Sequence, residues 1–214
     1  MATGAGDMVK AAYSSGKPAY GVGAGNAAII VDESANLTDA AVKIRIGKTG
    51  DNASGCSAEN SIIVYEGVYD KMIEALKSEG GYLASAEEKE KIKNVLWING
   101  NLSREVVAKP VERIAEIAGI PIPEKTKFIM VEETGIGKNY PFSGEKMSLI
   151  LTVYKYSDFD EAIDKVNRIT AYSGLGHSCG IHSFNDEHII RLALNTKTTR
   201  VTVRQPHGAA NSGN

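Results

Sequence analysis

The sequence of 214 residues contains only two cysteines, Cys56 and Cys179, and its first residues show no secretory signal pattern. So few thiols without such a leader are typical of a reducing compartment and argue against a disulfide-stabilised secreted protein. The sequence also has no uninterrupted apolar stretch close to the roughly 20 residues that a membrane-spanning helix needs. We therefore expect a soluble, cytoplasmic protein with no membrane partner.

An excess of positive charge is missing as well, because 24 basic residues stand against 26 acidic ones, for a net charge of −2. Without a basic field, nucleic acid is not an expected partner. The four histidines have no thiol partners at zinc-binding intervals, so no metal site is expected. These histidines are His177, His182, His188 and His207.

The content of 43% hydrophobic and 23% charged residues is ordinary for a globular protein. Short β-branched runs alternate with amphipathic segments, a pattern that predicts an α/β fold. Ser85 and Glu88 have the spacing of a capping box at the start of a helix. Strands are predicted at 27–31, 62–65, 127–131, 149–154, 180–184 and 200–204, and helices at 6–15, 37–48, 68–77, 110–119, 159–168 and 186–194.

Cys56 lies in the segment 51–60, which is rich in small and polar residues and separates an amphipathic helix from an apolar strand. A lone intracellular cysteine is more often a small buried hydrophobic residue than a catalyst. A packing thiol, however, would be expected inside the apolar run, whereas a thiol on such a loop is accessible to substrate. Cys56 is therefore the candidate nucleophile, and Cys179 is expected to be a packed strand residue.

The pattern Asp-Asn-x-x-x-Cys-x-x-Glu-Asn at 51–60 resembles the nucleophile loop of the aldehyde dehydrogenase superfamily, in its coenzyme A-acylating branch. Four further segments resemble this branch in the same order along the chain. They are a turn and helix at 2–13, a glycine-rich stretch at 17–26, Pro-Phe-Ser-Gly-Glu-Lys-Met-Ser at 141–148 and Gly-Leu-Gly-His-Ser at 174–178. Each segment alone is weak evidence for the family, but together the segments extend the resemblance through nearly the whole chain.

The resemblance implies an aldehyde dehydrogenase catalytic domain, a three-layer α/β sheet with flanking helices, truncated of most of its Rossmann-type cofactor domain. Residues 1–20 would be a remnant of the cofactor domain, 21–204 the catalytic domain, and 205–214 the start of an oligomerisation tail. The chain has no dinucleotide-binding fingerprint of its own. Apolar faces exposed by truncation would favour a homo-oligomer or aggregation.

The implied chemistry is oxidation of a small aldehyde. Cys56 would add to the carbonyl, NAD or NADP would accept the hydride, and coenzyme A would take the acyl group from the resulting thioester. Hydrolytic members carry a glutamate base at the position of Gly21, which can deprotonate nothing. This absence favours transfer to coenzyme A over hydrolysis.

Other roles follow from the resemblance. His177 would be an acid/base or orienting residue near Cys56, with a structural loop histidine as the alternative. The oxyanion would be held by the Cys56 amide and by Asn26 or Asn52, a choice that the sequence leaves open. Glu145 would contact the nicotinamide ribose, although Leu149 stands where the family usually has a proline.

Thr3 and Gly4 would also contact the cofactor. Arg204, in Val-Arg-Gln-Pro at 203–206, resembles the sulfoacetaldehyde-oxidising members and would pair with a sulfonate, with an ordinary surface arginine as the alternative. Acetaldehyde is the other candidate substrate. Two further readings of the chain stay open: a catalytically inert fragment that serves assembly, and a hydrolytic aldehyde dehydrogenase that uses another base.

Overall fold

The computed structural model describes residues 2–3 and 6–212. Its strands are β1 (Ala2–Thr3), β2 (Gly21–Val22), β3 (Ala27–Val31), β4 (Glu59–Tyr65), β5 (Gly81–Leu83), β6 (Trp97–Ile98), β7 (Asn101–Leu102), β8 (Phe128–Glu132), β9 (Ile150–Tyr156), β10 (Cys179–His182) and β11 (Val201–Val203). Its α-helices are α1 (Gly6–Tyr13), α2 (Leu37–Thr49), α3 (Tyr69–Ser78), α4 (Ala86–Leu96), α5 (Val111–Ala118), α6 (Phe159–Tyr172) and α7 (Asp186–Asn195). None of the helices within these residues has the length and apolar character to cross a lipid bilayer.

Seven strands form one parallel sheet in the order β11-β10-β3-β4-β9-β8-β5. Its central strands are apolar on both faces, as expected when helices cover both sides. Ile29 and Val31 of β3 pack with α2 to α5, whereas Ala28 and Ile30 pack with α6 and α7. The predicted three-layer α/β fold is confirmed.

A smaller unit precedes this sheet. Strand β1 pairs in parallel with β2, Ala2 opposite Gly21, and the Gly21 amide donates a hydrogen bond to the Tyr13 hydroxyl at 2.9 Å. Strand β2 thus joins the segment before it and not the large sheet, although the predicted boundary lies at residue 20. The division into domains stays a prediction.

Helix ends follow the predicted signals. The Ser85–Glu88 capping box is present, Gly119 closes α5 with a left-handed φ of 63°, and Asp158 caps α6. Some bounds differ: α1 ends at Tyr13, and β4 begins at Glu59 because it pairs with β3 from that residue on. The short strand β5 and the hairpin of β6 and β7 were not predicted, since two or three residues carry no usable periodicity.

The parallel arrangement gives the sheet two distinct ends. The loops that lead into β3, β4, β9 and β10 all lie at one end, here called the amino end. The residues that follow β3, β10 and β11 lie at the opposite, carboxyl end. Cys179 begins β10 and is fully buried, which confirms its predicted packing role.

Candidate active site

The amino end of the sheet collects four of the predicted site residues. Asn26 precedes β3, Cys56 precedes β4, Glu145 lies in the loop before β9, and His177 precedes β10. These four strands are neighbours in the order β10-β3-β4-β9. Because adjacent parallel strands start at the same end of a sheet, residues distant in sequence converge there.

The Cys56 loop has an unusual backbone. After α2, Asp51, Asn52 and Ala53 have φ values of 47°, 51° and 59°. Each non-glycine residue in this left-handed region costs of order 1 kcal/mol, so the surrounding structure has to hold the turn in place. Ala53 is buried beneath it and Cys56 is exposed. The loop therefore presents the thiol at the surface from a constrained backbone.

Gly25 packs directly against this loop. A methyl group added at Gly25 would overlap the carbonyl group and Cβ of Cys56. The Gly25 amide donates a hydrogen bond to Oε1 of Glu145 at 3.0 Å. Burial raises the pKa of the Glu145 carboxyl group, while the Gly25 amide and the charge of Lys146 act in the opposite direction. Gly25 thereby links Cys56 to Glu145, whose contact with a cofactor ribose stays a prediction.

The side chain of Asn26 has three hydrogen-bond partners within the protein. Its side-chain amide nitrogen donates to the carbonyls of Ser143 at 2.8 Å and Ile169 at 3.0 Å. Its oxygen accepts a hydrogen bond from the Asn60 side chain. Both donor hydrogens of Asn26 are thus bonded to backbone carbonyls in a buried position, and its contact with an oxyanion stays a prediction.

Asn60 completes the same network, which ties the start of β4 to the loop before β9. Its side chain donates to the Gly144 carbonyl at 2.6 Å and accepts from the Lys146 amide at 3.2 Å. A fully bonded buried amide pair of this kind fixes relative positions. Asn60 therefore supports the Cys56 loop. The Cys56 amide, with Asn26 or Asn52, remains the predicted set of oxyanion donors.

A cavity of about 440 Å³ opens beside His177 and is lined by Gly21–Ala24, Leu175–Ser178, Thr199 and Arg200. The ring nitrogen Nδ1 of His177 lies 2.6 Å from the Ser178 hydroxyl. Burial, and then the charge of Arg200, lower the pKa of His177. The imidazole is therefore neutral at neutral pH, which suits a proton acceptor better than a cationic partner of a thiolate.

Two buried charged groups lie beneath the Cys56 loop. Lys48, in the last turn of α2, and Glu59, at the start of β4, are 1% and 0% exposed. Burial lowers the pKa of Lys48 to about 7, opposed by the charge of Glu59. Burial likewise raises the pKa of Glu59 to about 8. Sequence reasoning missed Lys48, although its helical spacing after Ala41 and Ile44 places it on the buried face of α2.

The remaining predicted residues lie elsewhere. Arg204 follows β11 at the carboxyl end, where its guanidinium donates to the Ser183 carbonyl at 2.6 Å and lies over the Phe184 ring. The structure does not bring Arg204 to Cys56, so its placement gives no support to a sulfonate contact. Thr3 belongs to β1, and Gly4 lies outside the described residues. Their cofactor contacts stay predictions.

Comparison with known proteins places this geometry in a family. Residues 2–91 match the model of the aldehyde dehydrogenase family. Over 216 aligned residues, the chain is 44% identical to an acylating sulfoacetaldehyde dehydrogenase from Cupriavidus necator, covering all of the chain and 44% of that protein. The chain belongs to the aldehyde dehydrogenase family.

Solved structures of aldehyde dehydrogenases agree with this assignment. An acetylating aldehyde dehydrogenase from Geobacillus thermoglucosidasius superposes with a TM-score of 0.96 at 40% identity, covering 99% of this chain and 47% of that one. A propionaldehyde dehydrogenase from Rhodopseudomonas palustris, solved with bound propionyl-CoA, gives 0.87 at 30% identity, covering 98% and 46%. The chain spans about half the length of the relatives it matches.

Proposed function

We propose that this protein carries the catalytic thiol of a coenzyme A-acylating aldehyde dehydrogenase. Cys56 attacks the carbonyl carbon of a small aldehyde and forms a thiohemiacetal. A bound nicotinamide cofactor would supply the hydride acceptor that converts this adduct into a thioester on Cys56, and the thiol of coenzyme A would then displace the Cys56 sulfur. The observation that carries this proposal is the exposed Cys56, held on a constrained turn against Gly25 and beside Glu145.

Transfer to a thiol is favoured over hydrolysis because Gly21 occupies the position of the glutamate base that the resemblance assigns to hydrolytic members. The cavity beside His177, which Gly21 lines, holds no carboxylate among its described lining residues, whereas Glu145 lines the separate small cavity of Cys56. The neutral imidazole of His177 is the proton acceptor in the larger cavity, and an incoming thiol gives up its proton more readily than water does. These features support acyl transfer over the hydrolytic alternative.

The residues present fit part of a cofactor site. The cavity beside His177, about 440 Å³, has room for a small molecule and carries the cationic Arg200 in its wall, although Cys56 is not among its lining residues. It is too small for a whole dinucleotide. NAD or NADP and coenzyme A would therefore need further binding surface, and the choice between NAD and NADP stays open.

Three finer expectations belong to the same proposal. The aldehyde is small, with sulfoacetaldehyde and acetaldehyde as candidates, because an acylating sulfoacetaldehyde dehydrogenase and an acetylating aldehyde dehydrogenase are 44% and 40% identical to the chain. A homo-oligomer and a cytoplasmic location rest on the sequence alone. A second candidate function is an inert chain that keeps the fold without turnover.

The test uses the acyl-transfer half of the reaction, which needs no nicotinamide cofactor. The chain is incubated with acetyl-CoA, and the acylated peptide is identified by mass spectrometry. We expect acylation at Cys56, its loss in Cys56→Ala, and its retention in the matched variant Cys179→Ala, because Cys179 is buried in β10. The loss should exceed about 10³-fold, since the nucleophile itself is removed.

A folded wild-type chain that gains no acyl group at Cys56 would overturn the proposal and favour the second candidate function. Equal acylation of the Cys56→Ala variant would overturn the assignment of the nucleophile. A second measurement follows thioester breakdown with and without free coenzyme A. Rapid release without coenzyme A would support the hydrolytic alternative.

A further inference from the structure

Lys48 occupies a position that the proposed reaction does not yet explain. Its side chain is among the largest fully buried ones, yet it lies in the wall of a small cavity that Cys56 and Glu145 also line. The volume of this cavity, about 10 Å³, is that of a single water site. Lys48 and the candidate nucleophile Cys56 thus line one water-sized space.

Glu59 holds a fixed position beside Lys48. A methyl group added at Gly47 would overlap the Glu59 carboxyl group, so the carboxyl packs tightly against α2. Its Oε1 accepts a hydrogen bond from the His207 amide at 2.6 Å. Its Oε2 has no hydrogen-bond partner among the described residues. A buried carboxyl oxygen without a partner favours a hydrogen-bond donor nearby.

Several other titratable groups surround Lys48. Lys146, from the loop before β9, is also buried, but its ammonium donates to the carbonyls of Phe142 at 2.7 Å and Gly144 at 3.1 Å. Glu145 lines the same small cavity. Burial lowers the pKa of His207 to about 4, which leaves that ring neutral. Lys48 is therefore the amine placed to exchange a proton with the cavity.

We propose that Lys48 is a positioning residue for Cys56: its neutral amine accepts the thiol proton through one water in the shared cavity, and the resulting ammonium holds the thiolate. The S–H bond of Cys56 breaks and an N–H bond forms on Lys48, so the net charge of the cavity is unchanged. The purpose of this step rests on the proposed function, since a thiolate is the attacking form.

The pKa of Lys48, lowered by burial to about 7, agrees with this role. An ordinary lysine stays protonated at neutral pH and accepts no proton, whereas an amine near 7 exchanges its proton in the working range. Lysine on the buried face of a helix is also costly without a task or a partner.

The experiment measures the rate at which iodoacetamide alkylates Cys56 as a function of pH, followed by mass spectrometry of the Cys56 peptide. In Lys48→Met, which keeps most of the apolar stem, we expect alkylation at pH 7 to slow about tenfold and the midpoint of the profile to move upward by about one pH unit. The matched control Lys43→Met removes a lysine of the same helix that pairs with Asp39 at the surface. Its profile should be that of the wild type.

An unchanged profile in Lys48→Met, or an equal slowing in Lys43→Met, would overturn the proposal. If Lys48→Met does not fold, the wild-type protein provides the test through the ¹³Cε signal of Lys48. Alkylation of Cys56 should move the titration of this signal to lower pH, and an unchanged titration would refute the coupling.

Alkylation requires no aldehyde, cofactor or coenzyme A. A chain that fails to accept an acyl group but shows the Lys48-dependent profile would refute the proposed function and leave the role of Lys48 standing. Acylation at Cys56, together with an alkylation profile that is the same in the wild type and in Lys48→Met, would support the proposed function and refute the role of Lys48.

Discussion

The two ends of the sheet both collect polar side chains, but they hold them differently. At the carboxyl end, the buried Asp32 carboxylate accepts hydrogen bonds from the Ser34 amide at 2.9 Å and from the Ser34 and Ser183 hydroxyls, and it pairs with His188 at 2.9 Å. The His188 ring stacks on Phe159 at 3.8 Å. At the amino end, Lys48 and Glu59 are buried and their pKa values are shifted. One cavity at this end is lined by Lys48, and another is lined by His177.

Ligands of open parallel sheets usually bind beyond the carboxyl ends of the strands. Here the reactive side chains precede the strands, and the carboxyl end is closed by its own hydrogen bonds. Asp32, Glu33 and His188 bring potential metal-binding atoms within 4.8 Å of one another, yet the Asp32 carboxylate is already fully used by protein donors. In this protein, a cavity beside a buried ionisable group with a shifted pKa is therefore a better indication of a functional site than a cluster of polar groups.

Among changes that test the difference between the two ends of the sheet, we expect the largest effect from the contact between Gly25 and Cys56 at the amino end. In Gly25→Ala the new methyl group displaces the backbone of Cys56. A displacement of about 1 Å at a reacting group costs of order 100-fold in rate. Gly23→Ala is the matched control, because a methyl group there meets nothing within 4 Å. The measurement is the rate of Cys56 acylation by acetyl-CoA, together with the melting temperature.

Equal rates for the two alanine variants would show that the Gly25 contact does not position the thiol. Slowing of both by the same factor would point to a general effect on the glycine-rich stretch.

A substitution at the carboxyl end should separate stability from reactivity. In Asp32→Asn a buried carboxylate that accepts several hydrogen bonds becomes an amide whose NH₂ group faces donors. We expect a loss of about 2 kcal/mol in the free energy of unfolding, the usual scale for hydrogen bonds to a charged group. Acylation of Cys56 should stay within about twofold of the wild type. Denaturant unfolding and the acylation assay measure the two quantities, and a large loss of acylation in folded protein would contradict the separation.

The fold was largely predictable because its central strands are long apolar runs. Strands β3, β4 and β9 and helix α6 are each long enough to display their period in sequence. The strand β5 at the edge of the sheet was missed because its three residues have no such signal. Its place in the sheet depends on pairing with β8, a contact between distant parts of the chain.

The site was predictable only in part. The position of Cys56 on an exposed loop follows from local composition, but the orientation of a side-chain amide does not. Asn26 bonds to Ser143 and Ile169, both more than 100 residues away, so these contacts became visible only in the folded structure. Lys48 was missed for the related reason that a lysine on a helix is normally solvated.

The smallest expected effect concerns the pH dependence of the free energy of unfolding. It tests whether ionisation of the buried Glu59, at the amino end, destabilises the folded protein. The folded-state pKa of Glu59 is raised from 4.5 to about 8, so folded protein retains a proton that unfolded protein has lost. The contribution of Glu59 to stability is therefore greatest below pH 4.5 and is lost as the pH rises to about 8.

Glu59→Gln removes this titration and keeps an oxygen that accepts the His207 amide. Between pH 6.5 and 8 the free energy of unfolding should fall less in the variant than in the wild type, by about 1 kcal/mol after allowance for the coupling to Lys48. His182 and His207, with pKa values lowered by burial to about 4, add little slope in this window. Urea unfolding between pH 6.5 and 8 measures the difference. If the free energy of unfolding falls equally with pH in the two proteins, Glu59 is already ionised in the folded state. The two ends of the sheet would then not differ in this respect.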